Sequence, residues 1–223
     1  MISYKDRSEA GRVLAQELDN IQFESPPVVL AIPNGGIPVG VEIAESLDAE
    51  LDAIIVRKLQ VPGNPEAGFG ALTSHGSLIL NDRLVRRIGL NQRQIDMVVK
   101  QTEGQIERRK ADYRGLVSIV DPSERDVILV DDGIASGYTM MAAIESVRTL
   151  SPRSITVASP TASQRAAELI REKIRNLVCP RVESGFIFAV ANAYQNWYDV
   201  PDREVVDILE NYRNQQDSNS MSS

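Results

Sequence analysis

Val127–Thr139 reads V-I-L-V-D-D-G-I-A-S-G-Y-T, and this stretch decides the fold. An apolar, mostly β-branched run followed by a turn describes a parallel strand covered on both faces. Asp131 and Asp132 then stand at the carboxyl end of that strand, where open α/β sheets bind ligands. Gly133 to Gly137 leads into an apolar-periodic helix, so free backbone N–H groups converge there on one small anion. Two carboxylates beside such a nest suit a phosphorylated sugar. The acids accept hydrogen bonds from sugar hydroxyls, while the loop amides and the hydroxyls of Ser136 and Thr139 hold the phosphate.

Spacing separates this turn from other phosphate loops. A Walker A loop needs G-x-x-x-x-G-K-[ST], whereas Gly137 comes too soon after Gly133 and is followed by Tyr138. The dinucleotide fingerprint G-x-G-x-x-G is absent as well, because Gly35, Gly36 and Gly40 fall at the wrong intervals.

Outward from the motif, helix and strand alternate. Asp6 or Ser8 can cap a first helix ending at Leu18, with Ala10, Val13, Leu14 and Leu18 at helical spacing. Pro26 and Pro27 release a strand over Val28–Ile32, which ends in P-N-G-G-I-P before a helix from about Pro38 to Leu47. A second strand, Leu51–Val56, carries Arg57 and Lys58 at its end, ahead of the Pro- and Gly-rich loop Val61–Gly70. Gly70–Thr73 and Leu78–Leu80 flank S-H-G-S as a β-hairpin, which puts the sole histidine, His75, in an exposed turn. A short helix begins near Asp82 and a long one covers Asn91–Tyr113, its apolar face carrying Ile95, Val98, Val99, Thr102, Ile106 and Tyr113. Glu103, Glu107, Arg108, Arg109 and Lys110 are expected on its solvated face, and the interior Gly104 predicts a close packing contact. Beyond the motif follow a helix over Tyr138–Leu150, a strand over Ser154–Ser159, a helix over Ala162–Glu172 and a last strand over Asn176–Cys179. Phe186, Phe188, Tyr194, Trp197 and Tyr198 then precede an amphipathic helix starting near Asp202.

At 223 residues the chain exceeds the prior of about 150 per domain, yet α/β folds of this size are commonly single. The expectation is one α/β domain over 1–213, an open, mainly parallel central sheet flanked by helices. It carries a β-hairpin lid and a small C-terminal hood over about 182–212, and a disordered polar tail, 214–223, follows. Net charge is −7, from 24 basic and 31 acidic side chains with no polybasic run, which disfavours nucleic acid as a partner. Cys179 is the only cysteine, so an intramolecular disulfide is excluded, and its apolar neighbours predict a buried strand residue. The opening M-I-S-Y-K-D-R lacks the apolar core of a signal peptide, and no run approaches the roughly 18 apolar residues of a membrane span. A cytoplasmic location is expected; oligomeric state is left open, with a homodimer admitted.

Four hydrophobic residues, two acids, a small-residue loop and a threonine resemble the PRPP-binding motif of the type I phosphoribosyltransferases (PRPP, 5-phosphoribosyl 1-diphosphate). R-S-E-A-G-R-V-L-A, I-P-N-G-G-I-P-V, V-R-K-L-x-x-P-G-N-P-E and I-E-R-R-K-A-D-Y-R-G extend the likeness over nearly the whole chain, to a subgroup of undefined acceptor sometimes fused to hydrolase domains. The resemblance implies that Asp131 and Asp132 bind the ribose hydroxyls and that Ala135, Ser136, Gly137, Tyr138 and Thr139 bind the 5-phosphate. Asn34, Gly35 and Gly36 correspond to the loop that binds diphosphate, where the family commonly has a basic residue; asparagine there removes a charge. Arg57 and Lys58 are placed to restore it at the leaving group, and Val61–Gly70 resembles the mobile lid, with Glu66 available for polar work. Trp197 and Tyr198 are candidates to stack on a flat nitrogenous acceptor such as a nucleobase. Mg²⁺ is implied through the diphosphate, held mainly by substrate oxygens and water without a direct protein ligand. The activity implied is transfer of the phosphoribosyl group with release of pyrophosphate. A non-catalytic sensor of PRPP or a nucleotide is the alternative on the same fold.

Overall fold

A computed structural model describes residues 3–117, 120–185 and 188–220, without the side chains of 65, 66, 219 and 220. In chain order its elements are α1 (Arg7–Leu18), β1 (Val28–Ala31), α2 (Gly36–Ser46), β2 (Glu50–Ala53), β3 (Val56–Val61), β4 (Asn64–Thr73), β5 (Leu78–Leu80), α3 (Asp82–Ile88) and α4 (Gln92–Asp112). After them come β6 (Asp126–Val130), α5 (Tyr138–Arg148), β7 (Ser154–Ala158), β8 (Thr161–Ser163), α6 (Gln164–Arg171), β9 (Asn176–Val178), β10 (Arg181–Glu183), a 3-10 turn (Val190–Ala193) and α7 (Asp202–Ser220).

Every residue of β1 and β6 is buried, as their unbroken apolar runs require. They lie side by side within a five-stranded parallel sheet ordered β2-β1-β6-β7-β9, in register Val28 with Val127 to Ala31 with Val130. Successive side chains alternate between faces. Val29, Ala31, Ile128 and Val130 pack against Leu14 and Leu18 of α1, Ile43 of α2 and Leu209 of α7. Val28, Leu30, Val127 and Leu129 meet Ile144 and Val147 of α5 and Ile170 of α6 on the other side. Each such leucine, isoleucine or valine contributes about 1.5–3 kcal/mol of burial. From β1 the sheet grows one way to β2, and from β6 the other way to β7 and β9. The order therefore reverses between β1 and β6, and a crevice opens at their carboxyl ends.

The segment expected as a glycine-rich closing loop is mostly strand. β3 and β4 pair antiparallel, with a register shift around Gln60, and β5 adds a third strand to this separate sheet. Leu59 and Phe69 anchor it, both fully buried. Gly70 belongs to the pairing: a Cβ there would stand 2.4 Å from the Ile79 carbonyl oxygen, so the glycine admits β5. Glycines read as hinges are, at this position, a condition for close strand approach.

Other expectations shift in smaller ways. Helix α2 starts at Gly36, before Pro38, and α7 runs to Ser220, well into the polar stretch expected to be disordered. Its last turns gain local support from Arg213 facing Asp217 at 3.9 Å and from Ser218 Oγ donating to the Asn214 carbonyl. Gly104 has nothing within 4 Å of the point where a Cβ would stand, so no close packing explains it. Cys179 is half-buried just past β9, and burial pushes its thiol up to about 11. His75 is half-buried in its turn, and that burial lowers its pKa. Among the described residues, no helix is long and apolar enough to cross a membrane.

Asp52 in β2 supplies a test of the fold. Its carboxylate accepts from the Ala53 amide at 2.6 Å and the Val120 amide at 3.4 Å, yet burial pushes it up to about 6 against those bonds. Because the folded value lies above the unfolded one, the stability this group contributes is complete below about pH 4 and is lost as pH rises towards about 6. Asp52→Asn is expected to be more stable than the parent by about 1–2 kcal/mol near neutral pH, after allowance for the weakened Val120 bond. Urea unfolding of both proteins should give curves that converge near about pH 4; a constant gap at every pH refutes this assignment.

Candidate active site

Asp131 and Asp132 follow β6 directly, at the mouth of the crevice. The Asp132 amide donates to Asp131 Oδ1 at 2.9 Å, folding the pair onto itself. Burial, and next the charge on Asp132, push the Asp131 carboxyl well above the usual carboxylate range. Arg7, from the first turn of α1, donates from Nε to Asp132 Oδ2 at 2.8 Å, with side chains only 7% and 14% exposed. The two acids are therefore unequal: one pairs with a guanidinium and the other is disposed to keep its proton.

Two loops enclose the acids. Pro33–Asn34 is a cis peptide, and Gly35 lies so near that a Cβ on it would fall 1.9 Å from Asp132 Oδ2. Gly36 opens α2 against the end of β6, where its own Cβ would meet the Val130 carbonyl at 2.8 Å. On the other side Ala135, Ser136, Tyr138 and Thr139 are exposed and Gly137 is buried. Ser163 Oγ ties this loop by donating to the Ala135 carbonyl at 2.7 Å. α1, α3, α4 and α6 are each capped by a side chain, from Asp6, Asn81, Asn91 and Ser163 respectively. α2 and α5 have glycine at the N-cap and no side-chain cap. The α5 first-turn amides and positive dipole end are thus left for an anion; at α2 the Gly36 and Ile37 amides donate to the Ile32 and Asn34 carbonyls and Pro38 has none, so the dipole end and the Gly35 amide remain there, on the other side of the acid pair.

This sequence matches the family described as the phosphoribosyl transferase domain over residues 4–197. The chain belongs to the phosphoribosyl transferase family. A provisionally named phosphoribosyl transferase of Mycobacterium tuberculosis is 36% identical over 207 residues, covering 93% of this chain. The chain spans 46% of that relative's length. Among solved structures, TT1426 from Thermus thermophilus superposes with a TM-score of 0.81 at 34% identity, covering 95% of this chain and 99% of its own. A hypoxanthine phosphoribosyltransferase from Staphylococcus aureus, at 12% identity and a TM-score of 0.50, shares the fold, with 89% of this chain and 84% of its own covered.

Within the phosphoribosyl transferase domain, the residues singled out from sequence are brought together only in part. Asp131, Asp132, Gly35, Gly36 and the loop from Ala135 to Thr139 share the crevice. Arg57 and Lys58 do not converge. They sit inside β3 and not at the end of β2, and neighbouring strand residues point to opposite sides. Arg57 lines a cavity with Arg109 and Asp202, whereas Lys58 lines another with Gln60, Met97 and Gln101. The Glu66 side chain and Phe186 lie outside the described residues. Trp197 faces the site, but the Arg7 guanidinium carbon lies 4.2 Å from its ring centroid and occupies one face. Tyr198 is half exposed and donates to Glu204 at 2.5 Å.

Three further residues at this crevice went unassigned from sequence. Arg7 clamps Asp132. Tyr194 donates its hydroxyl to the Asp132 backbone carbonyl at 2.6 Å, joining the hood to the acid loop. Arg109, expected on a solvated face, is only 12% exposed and donates from Nη1 to Asn34 Oδ1 at 2.6 Å. Its position four residues before Tyr113 places it at the margin of the α4 apolar face, which is the one local signal that could have marked it.

Proposed function

We propose that this domain transfers the phosphoribosyl group of PRPP to a nitrogenous acceptor, most simply a nucleobase, and releases pyrophosphate. The observation that carries this reading is the pair of uncapped helix starts, α2 and α5, set on either side of Asp131 and Asp132 where the strand order reverses. An acid pair between two anion sites matches a sugar with a phosphate on one end and a diphosphate on the other.

In this reading Asp131 and Asp132 hold the ribose hydroxyls, and Ala135, Ser136, Gly137, Tyr138 and Thr139 cradle the 5-phosphate. Gly35 presents its amide to the diphosphate, Gly36 lets the loop approach it closely while its own amide donates to the Ile32 carbonyl, and Arg57 stands on the flank. The bond from the anomeric carbon to the diphosphate oxygen breaks as the acceptor nitrogen attacks, and the transition state carries positive charge on the sugar. A carboxylate held beside the ribose favours that charge without forming a covalent bond. The acceptor lies against the open side of Trp197 and against Tyr198. Among the described residues, no group of three or more His, Cys, Asp or Glu side chains could hold a metal ion. The crowded acid pair nevertheless fits a divalent cation that arrives on the substrate. Mg²⁺ carried by diphosphate oxygens and water would supply charge neutralisation to the leaving group. A cytoplasmic setting agrees with the single thiol and acidic balance.

The second reading, a sensor that binds PRPP without turnover, draws on the Arg7–Asp132 bond, which already occupies a carboxylate oxygen the ribose needs. Incubation with PRPP, Mg²⁺ and a panel of bases separates the two. Pyrophosphate release dependent on one base is expected. Tight PRPP binding without release from any base transfers the domain to the sensor reading, and absence of PRPP binding removes both.

A further inference from the structure

Beside the Asn34 loop lies a cavity of about 320 Å³ lined by Arg57, Gln105, Arg108, Arg109, Asp112 and Asp202. Three guanidinium groups face two carboxylates there, so the lining carries a surplus positive charge. Arg57 Nε is buried and has no hydrogen-bond partner, which is costly for a cationic donor unless a ligand supplies an acceptor. Arg109 crosses from α4 to the loop and puts all three of its hydrogen bonds through Nη1: to Asn34 Oδ1 at 2.6 Å, Asp202 Oδ1 at 2.7 Å and the Tyr113 hydroxyl at 3.1 Å. Its planar fork also carries Nη2 and Nε, the geometry that suits phosphoryl oxygens.

The ion pair in this cavity is asymmetric. Arg109 is 12% exposed and fixed by packing, whereas the Asp202 side chain, at the first residue of α7, is 62% exposed. Asp202 also accepts from Asn34 Nδ2 at 2.8 Å, and that bond together with the nearby charges of Arg109 and Arg57 holds its carboxyl below the usual range. A buried cation paired with a solvent-exposed anion is the arrangement of an occupied but exchangeable anion site.

We propose that Asp202 stands in for a substrate anion: binding of a diphosphate at Arg57 and Arg109 displaces its carboxylate and gives the buried Arg57 Nε an acceptor. This rests on the phosphoribosyl transfer reading above, because it takes the anion to be the diphosphate of that same site. The charge absent from position 34 then comes from α4. Asn34 serves as a positioning residue, bonding to cation and stand-in together. Exchange replaces one negative charge by at least two, so it is favourable although Asp202 loses its partner.

Calorimetric titration of the full chain with inorganic diphosphate tests this, using Asp202→Asn, Arg109→Gln and Arg57→Gln. Asp202→Asn keeps the acceptor oxygen for Asn34 and Arg109 while removing the competing charge, and is expected to tighten diphosphate binding by about fivefold or more. Arg109→Gln is expected to weaken it by about tenfold or more. Arg57→Gln should weaken binding as well and, being outside the Arg109–Asp202 pair, keeps the test valid if Arg109→Gln does not fold. A purely structural ion pair predicts weakening from both of its members. Weaker or unchanged binding by Asp202→Asn therefore overturns the proposal, as does a parent protein that binds no diphosphate. Base-dependent turnover with an unaltered Asp202→Asn affinity sinks this inference alone. Diphosphate binding with the opposed signs, but without turnover on any base, sinks the transfer reading alone.

Discussion

Asp131→Asn should yield a protein that melts higher than its parent and no longer works. The parent holds a buried carboxyl next to a second acid, and burial followed by the Asp132 charge raises its pKa. A raised folded value means that the stability this group contributes is present below the unfolded pKa of about 3.9 and is lost as pH climbs through the folded one. Asparagine retains the Oδ1 acceptor for the Asp132 amide and carries no charge at any pH. The two melting curves should therefore coincide near about pH 4 and separate progressively above it, each kcal/mol recovered raising Tm by about 2–4 °C for a chain of this size. The same change replaces one carboxyl oxygen available to the ribose hydroxyls by an amide nitrogen, and kcat/KM for PRPP is expected to fall by about 10²–10³-fold. Thermal melts across pH, paired with pyrophosphate release, read both effects. A variant less stable than the parent at neutral pH contradicts the electrostatic account, and one with undiminished kcat/KM contradicts the assigned role.

Gly35→Ala should have the opposite effect on stability and the same effect on activity. Gly35 has ordinary helical angles, φ −63 and ψ −28, so alanine meets no backbone penalty there. The penalty is steric. The new Cβ would lie 1.9 Å from Asp132 Oδ2, 2.3 Å from its Cγ and 2.8 Å from Oδ1. A free carboxylate would swing aside, but Asp132 is pinned by Arg7, whose guanidinium is buried under Trp197, Tyr194 and Tyr198. Moving the acid leaves that cation without its partner, a loss of up to about 3–5 kcal/mol for a buried pair. The expected outcome is a Tm lower by about 10 °C and loss of PRPP binding. A shift below about 2 °C with binding intact would falsify the claim that Arg7 locks Asp132 in place.

These two residues show what the sequence disclosed. The motif around Asp131 was legible because its information is local: a buried run, two acids and a small-residue turn within one short stretch. α1, β1, β6 and the hairpin partner β5 could be read in the same way. Arg57 and Lys58 were misplaced because the break between β2 and β3 carries no glycine or proline to announce it. Arg7 and Arg109 were opaque for a different reason. Their partners Asp132 and Asn34 lie 125 and 75 residues away, and no periodicity links such positions. A charged residue at the start of a helix, or within a run of charges, looks solvated until the fold brings a carboxylate or an amide to meet it.

The clasp between the segment before α1 and the hood has a consequence for biosynthesis. Tyr4 donates its amide to the Ala193 carbonyl and accepts from the Gln195 amide, and Asn196 bonds to Lys5, so a main-chain seam closes beside Arg7. The sheet can assemble once β9 has emerged, but the seam must wait for residues 193–196, which follow β9 in the chain. Until then Arg7 lacks the aromatic roof that shields it, and a ribosome-bound intermediate would hold its acids in contact with water. Ligand capture is thereby deferred until the hood segment has been made.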